Sequence, residues 1–259
     1  MKVTILGCGG AGGVPLIGGD WGACDPNEPK NRRLRASILV EANGARILVD
    51  TSPDLRQQFL NADISNIDAI LYTHHHADHV HGIDDLRTIN RISRRVIDAY
   101  GSADCFASIR KRFDYVFTPP PLKGGKPSFF KPCLDAHEVR PGEPFSAAKI
   151  EVLPFTQDHG FMETLGFRFG DFAYSTDLVN LDQAAFKALS GIKVWVVGCL
   201  GDQPHPTHAH LDKVLGWIDQ IKPMRAILTH MTGALDYQNL RARLPSGVEP
   251  AYDGMVIAI

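Results

Sequence analysis

A chain of 259 residues, 44% of them hydrophobic, carries enough apolar material for one sizeable core or two small ones and lacks the composition of a disordered chain. Its 27 basic and 29 acidic residues leave a formal charge of -2, which argues against a general polyanion-binding surface and makes long nucleic acid an unexpected partner, though a local basic patch is allowed. No apolar run approaches the roughly 18 residues of a membrane span, and the first strand enters glycines instead of a signal-type apolar stretch, so no membrane association is expected and the default location is cytoplasmic.

Val3 to Leu6 reads as a short buried strand that opens into Gly7-Cys8-Gly9-Gly10-Ala11-Gly12-Gly13. Pro15, Gly18 and Gly19 deny this loop the helix that a dinucleotide fingerprint requires, so it reads as backbone packed closely near a site. Residues 20 to 36 are polar and carry Asn31, Arg32, Arg33 and Arg35, a solvated basic loop or a contact for a substrate phosphate. Ser37 to Glu41 and Arg46 to Asp50 flank Asn43-Gly44 and predict a hairpin, after which Pro53 and Asp54 start a helix running to about Leu60. The apolar run Ile67 to Tyr72 predicts a strand that ends in Thr73-His74-His75-His76-Ala77-Asp78-His79. Imidazoles and a carboxylate on a short turn anchored by a core strand are what a buried metal site needs.

Leu86, Ile89 and Ile92 have helical spacing, Arg95 to Tyr100 reads as a strand, and Ser102 can cap a helix to about Phe113. Residues 114–136, with Tyr115, Phe117, three consecutive prolines and Phe129-Phe130, suit an ordered lid over a site or a contact with a second copy, which would make a homodimer. Further on, Glu151 to Phe155 leads to His159, a hairpin about Gly170-Asp171 delivers Asp177, Asn180 is the expected cap of a helix over Leu181 to Leu189, and Arg225 to Thr229 ends in His230. Helices over Leu211 to Ile221 and Tyr237 to Leu244 and a last strand over Met255 to Ile259 complete the chain, whose mixture of hairpins and strand-helix alternation predicts sheets covered by helices. Cys8, Cys24, Cys105, Cys133 and Cys199 match neither a disulfide framework nor a zinc-binding Cys-x-x-Cys pattern.

Strand ends therefore supply ligands for two divalent metal ions, zinc or manganese. His74, His76 and His159 are expected on one ion and Asp78, His79 and His230 on the other, with Asp177 between them. Asp50 is expected to orient a ligand histidine through its non-ligating nitrogen, and His75 to act as a spacer.

The His-x-His-x-Asp-His turn with the downstream His159, Asp177 and His230 resembles the metallo-beta-lactamase superfamily over nearly the whole chain. That resemblance implies a single α+β domain over residues 1–259, a four-layer αββα sandwich with the dinuclear site at one edge of its two sheets. Gly13-Val14-Pro15, Asn31 to Ser37, Asp50 to Arg56, His81 to Arg87, Thr207-His208, Leu228-Thr229-His230 and Tyr252 to Met255 are similar to the PhnP-like phosphodiesterase branch. The resemblance implies hydrolysis of a phosphodiester, cyclic or nucleotide-like, by hydroxide formed from a water shared by the two ions. Asp78 and Asp50 would serve the catalytic centre, His208 would be a phosphate contact or general acid, and Arg35 and Ser37 would add substrate contacts. The implied partner is a small phosphorylated molecule, a nucleotide among the candidates. Thioester or lactam hydrolysis, RNA processing and a low-turnover metal-binding role are the alternatives. One departure stands out. The branch carries a further structural zinc on clustered cysteines and a histidine, whereas this chain offers Cys24 alone and Gly233 at the corresponding positions.

Overall fold

Residues 1–259 are described by a computed structural model in which two seven-stranded sheets lie face to face. The first sheet runs in the order Val256–Ala258, Lys2–Gly7, Ser37–Ala42, Ala45–Val49, Ala69–Leu71, Ile97–Gly101, Leu134–Glu138. The second runs Val248–Pro250, Arg225–Thr229, Val194–Gly198, Phe172–Ser175, Glu163–Phe169, Ile150–Asp158, Phe145–Ala147. Period-two alternation sorts the first sheet's side chains. Val3, Ile5, Ile47 and Val49 enter the core between the sheets, while Leu6 and Leu48 join the core under the helices Leu55–Asn61, Leu86–Ser93 and Ala103–Phe113. The helices Gln183–Leu189, Leu211–Ile221 and Tyr237–Arg243 cover the second sheet through Leu189, Val214, Trp217 and Leu240. Each fully buried Leu, Val or Phe side chain contributes about 1.5–3 kcal/mol. The result is the αββα sandwich that the family resemblance implies.

Local chemistry explains most boundaries. Asn43 and Gly44 both take positive φ, 53° and 76°, as the two-residue turn of the first hairpin requires. The Ser102 hydroxyl accepts from the Cys105 N–H at 3.2 Å and caps its helix. The cap placed on Asn180 belongs to Asp182, whose carboxylate accepts from the Ala185 N–H at 2.7 Å, so that helix starts at Gln183; Asn180 instead holds Asp158 at 2.9 Å. Ile92 is exposed at the end of its helix, while Asn90 is buried and bonded through its amide to backbone groups of Arg95 and Cys133. Residues 114–136 form a short 3-10 turn, Asp114–Phe117, and a small hairpin. This segment is tied to the outer helix by Arg91 on the Phe129 carbonyl at 2.8 Å and to Asp84 by Tyr115 at 2.7 Å. No helix is long and apolar enough to cross a membrane.

The glycine loop after the first strand is a packing device. A Cβ on Gly7 would lie 2.1 Å from the Arg35 carbonyl oxygen. The loop also stitches the sheets together, because Met231 N donates to the Cys8 carbonyl and Gly10 N to that of Met231. Arg33 completes this junction. Its guanidinium is fully buried and donates to the carbonyls of Leu235 at 2.6 Å and Thr232 at 2.8 Å, fastening the loop that follows His230. Arg33→Met should cost about 3 kcal/mol, since one buried and one part-buried carbonyl lose their donors. Urea unfolding measures that loss, and a change below about 1 kcal/mol would show that the clamp is dispensable.

Candidate metal centre

Five strand ends meet at one edge of the sandwich. Asp50 follows Ala45–Val49, Thr73 and His74 follow Ala69–Leu71, His159 follows Ile150–Asp158, Asp177 follows Phe172–Ser175, and His230 follows Arg225–Thr229. Asp50, Asp177 and His230 all have left-handed backbone, with φ of 64°, 53° and 55°. Such conformations are costly for residues with a Cβ and persist where surrounding bonds hold them. The short helix Ala77–Val80 then presents Asp78 and His79 from its first turn.

These elements assemble two sets of ligand atoms, each lying within 4.8 Å of one another: His74, His76, His159 and Asp177 in one, Asp78, His79, Asp177 and His230 in the other. Asp177 belongs to both. Its Oδ1 faces His74 Nε2 at 3.9 Å and His159 Nε2 at 3.8 Å, and its Oδ2 faces His79 Nε2 at 3.1 Å and His230 Nε2 at 3.3 Å. A carboxylate with one oxygen toward each set is placed to serve both.

Outer hydrogen bonds fix which nitrogen each ring offers. His79 Nδ1 donates to Asp50 Oδ2 at 2.7 Å, leaving Nε2 toward the centre. His159 Nδ1 donates to the Thr207 carbonyl at 2.7 Å. The Thr73 hydroxyl donates to Asp50 at 2.8 Å and so accepts from His74 Nδ1 at 3.0 Å. Asp50 therefore steadies one ligand ring directly and another through Thr73, one in each set. The inward-facing Nε2 atoms of His74, His79 and His230 are buried without a hydrogen-bond partner. Orphaned buried nitrogens of this kind are costly unless something binds them, and an imidazole and carboxylate donor set without thiolate suits a zinc- or manganese-like divalent ion.

Charge is balanced accordingly. Burial opposes charge on His79, but Asp177, Asp78 and Asp50 outweigh it and hold its pKa well above the ordinary value. Burial and the neighbouring His79 hold His74 well below. Asp78 and Asp177 are raised by burial yet end far below the usual carboxylate range because the surrounding imidazoles favour their charged forms. Both act as fixed negative charge in this arrangement.

The remaining candidate residues fall into two groups. His208 lies 15% exposed beside the shared carboxylate, its Nδ1 3.9 Å from Asp177 Oδ1 and its ring stacked on His230 at 5.0 Å; burial and then His230 push its pKa down to about 3. It lines a cavity of about 410 Å³ above the two sets with His75, His76, Asp78, Phe161 and Thr207 among the walls. His75 joins neither set and stands at the rim. Ser37 does not reach this cavity. It is fully buried, and its hydroxyl donates to the carbonyls of Val49 and Asp50, so the expectation of a substrate contact there is corrected by its commitment to the sheet. Arg35 pairs with Asp54 at 3.0 Å and is absent from the cavity lining. Thr73 and Thr207 enter the sequence reading only as parts of motifs, with no role of their own, and Phe161 does not enter it. The first two sit directly beside histidines of the site, which is the signal that could have found them.

Two outcomes are expected. Asp50→Asn should weaken metal affinity about 10- to 100-fold, because three donors converge on the two carboxylate oxygens and the amide NH2 would face at least one of them; chelator competition measures it, and unchanged affinity would remove Asp50 from the support of the centre. For His79, a raised folded-state pKa stabilises the metal-free chain below the unfolded value of about 6.5, and that contribution disappears as pH rises through the folded value. His74 and His208, with lowered values, are neutral in both states above about 6.5 and add no slope there. Raising the pH above 6.5 should therefore lower the melting temperature of metal-free protein while tightening metal binding, and a metal-free stability that is flat or rising over this range would contradict the assignment.

Comparison with known proteins agrees with this geometry. Residues 45–231 match the model of the beta-lactamase superfamily domain. A crystal structure of a diphosphatase from the PhnP family superposes with a TM-score of 0.90 at 32% identity, covering 100% of this chain and 97% of that one. The zinc-bound PqqB of Methylobacterium extorquens shares the fold, with a TM-score of 0.75 at 19% identity over 100% of both chains. A protein from Porphyromonas gingivalis named octanoyltransferase is 34% identical over 98% of this chain, which spans only 51% of that protein's length. On the strength of the domain match and the full-length similarity to the diphosphatase, the chain belongs to the beta-lactamase superfamily and, within it, to the PhnP family.

Proposed function

We propose that the protein is a dinuclear metal-dependent hydrolase of a small phosphodiester, cyclic or nucleotide-like. The observation that supports this reading is Asp177, common to two adjoining ligand sets, with His208 3.9 Å from its Oδ1 and a cavity beside both. Two divalent ions bound there would supply the positive charge that acidifies a water and neutralises phosphoryl oxygens. The ligand sets themselves contain only two carboxylates, Asp78 and Asp177, against five histidines. A loaded centre therefore keeps net positive charge and favours an anionic substrate over a neutral one.

The chain's own residues supply orientation. Asp50, Thr73 and Thr207 hold ligand rings in single tautomers, so little reorganisation accompanies binding. His208 is held neutral by burial and by His230, and as a neutral imidazole it can give a ring N–H hydrogen bond to a phosphoryl or leaving oxygen. Approach of an anion raises its proton affinity, which turns the same ring into a proton donor.

The similarity to the octanoyltransferase favours a second reading, hydrolysis of an acyl thioester by the same centre. Covalent acyl transfer through a cysteine finds no support, because all five cysteines are buried, none lines the cavity, and burial raises each thiol's pKa.

Metal-loaded protein should hydrolyse bis(p-nitrophenyl) phosphate, cyclic nucleotides or a ribosyl cyclic phosphate and lose that activity to a chelator. His208→Ala should lower kcat/KM about 100-fold with metal content retained. No turnover of any diester at full metal occupancy would sink the reading, faster turnover of an octanoyl thioester would replace it with the second, and loss of both metals in His208→Ala would assign His208 to the scaffold.

A further inference from the structure

We propose that Phe161 is a stacking platform for a planar aromatic base on the substrate, which makes that substrate a nucleoside phosphodiester. The assignment rests on the phosphodiester reading above. The cavity beside the ligand sets has two kinds of wall. Histidines, carboxylates and Thr207 form most of it, and its apolar part is Ala11, Phe161 and Met162 alone. Of the chain's 13 phenylalanines only Phe130 and Phe161 are exposed, and Phe161 at 91% leaves almost its whole ring to solvent. It joins neither hydrophobic core.

The backbone beneath this ring is fixed. Phe161 follows His159 in the turn between Ile150–Asp158 and Glu163–Phe169. The His159 N–H donates to the Met162 carbonyl at 2.9 Å and the Phe161 N–H to the His159 carbonyl at 3.0 Å, which closes the turn. Gly160, with φ of 79°, donates to Asp158 Oδ1 at 2.7 Å and lies so close to the facing loop that a Cβ would stand 2.7 Å from the Pro206 carbonyl oxygen. That loop carries Thr207, whose carbonyl holds the His159 ring, and then His208. Two interlocked turns therefore present a ligand of the first set, the Phe161 ring and the imidazole expected to meet the phosphoryl group to one cavity.

A large apolar ring on an ordered turn, left in water at the lip of a polar cavity, is a surface that a ligand covers. The extent of the apolar wall selects among ligands. An acyl chain gains most from an enclosed apolar channel, which Ala11, Phe161 and Met162 do not make. A base offers a flat π-face, and stacking on one exposed ring holds it whichever base it is. Met162 beside the ring adapts to the edge of the base through its flexible thioether. Phe161 and Met162 belong to neither ligand set, so the platform sorts substrates without altering the centre.

The test compares two phosphodiesters of equal charge and the same leaving group, the p-nitrophenyl ester of thymidine monophosphate and tetrahydrofurfuryl p-nitrophenyl phosphate, which keeps a sugar-like ring and has no base. Metal-loaded wild type should turn over the thymidine ester with kcat/KM about tenfold above the other. Phe161→Ala, with metal content unchanged, should bring the two to within about threefold, chiefly by raising KM for the thymidine ester, and Phe161→Trp should keep the preference. Equal turnover of the two esters by wild type, a preference that survives Phe161→Ala, or one that Phe161→Trp loses as fully as Phe161→Ala overturns the platform and leaves the phosphodiester reading standing. No turnover of either ester at full metal occupancy overturns both.

Discussion

The buried carboxylate of Asp50 is the interaction on which the centre depends. It is wholly removed from water and accepts three hydrogen bonds, from the Thr73 amide, the Thr73 hydroxyl and His79 Nδ1. A buried carboxylate is tolerable only when its acceptor sites are filled by donors, and here the donors are the groups whose orientation the site requires. Through Thr73 the same charge reaches His74, so one residue outside both ligand sets sets the rings of each. Its position follows from backbone as much as from side chain. Asp50, Asp177 and His230 each leave a strand through a left-handed conformation, which redirects the side chain relative to the alternation the strand would otherwise impose. Three such departures at one edge cost a few kcal/mol, offset by the bonds that fix them and by the metals that the orphaned imidazole nitrogens invite.

Much of this was legible because strands and ligands are written locally. The run Ala69-Ile70-Leu71 and the turn after it can be read without knowing where the chain goes next, and so can His159, Asp177 and His230 at the ends of apolar segments. The layers followed from period-two strands between amphipathic helices. What was not legible depends on distant pairings. Ser37 and Arg35 look like polar residues beside a site, yet the sheet register turns Ser37 into the interior and the helix start gives Arg35 its partner Asp54. Asn90 reads as a surface residue until the chain returns at Cys133 to meet it. Phe161 reads as one more loop aromatic, and only the approach of Thr207 and His208 makes it a wall.

The family relationships constrain chemistry by charge more than by name. A protein named octanoyltransferase contains a region similar to this whole chain and about as much again outside it, so its name describes a larger molecule. Within this chain, the nucleophile that acyl transfer through a thiol needs is buried at every cysteine, whereas the ligand atoms suited to divalent ions converge beneath one cavity. Five histidines against two carboxylates in the ligand sets would leave the centre cationic once divalent ions are bound, a bias that would act before any detailed contact between substrate and wall.

Cys24 and Gly233 lie where the loop after His230 meets the polar segment before the second strand. The loop after His230 must be anchored, or His230 loses its place in the second ligand set. At the positions where the resembled branch carries cysteines and a histidine, this chain brings backbone against backbone: Ala23 N donates to the Gly233 carbonyl at 2.7 Å, and a Cβ at Gly233 would lie 2.7 Å from the Trp21 carbonyl oxygen. A side chain of any kind at 233, a histidine included, would collide with that strand of backbone. The Arg33 guanidinium then supplies several donors to the carbonyls of the loop, and Asn31 joins Asp236 at 2.6 Å. A buried cation with a fixed fork of N–H groups can cross-link two loops much as a metal ion does, with carbonyl dipoles in place of thiolates. The loop that carries His230 is thus anchored by guanidinium, amide and backbone hydrogen bonds, which hold this edge of the sandwich in place.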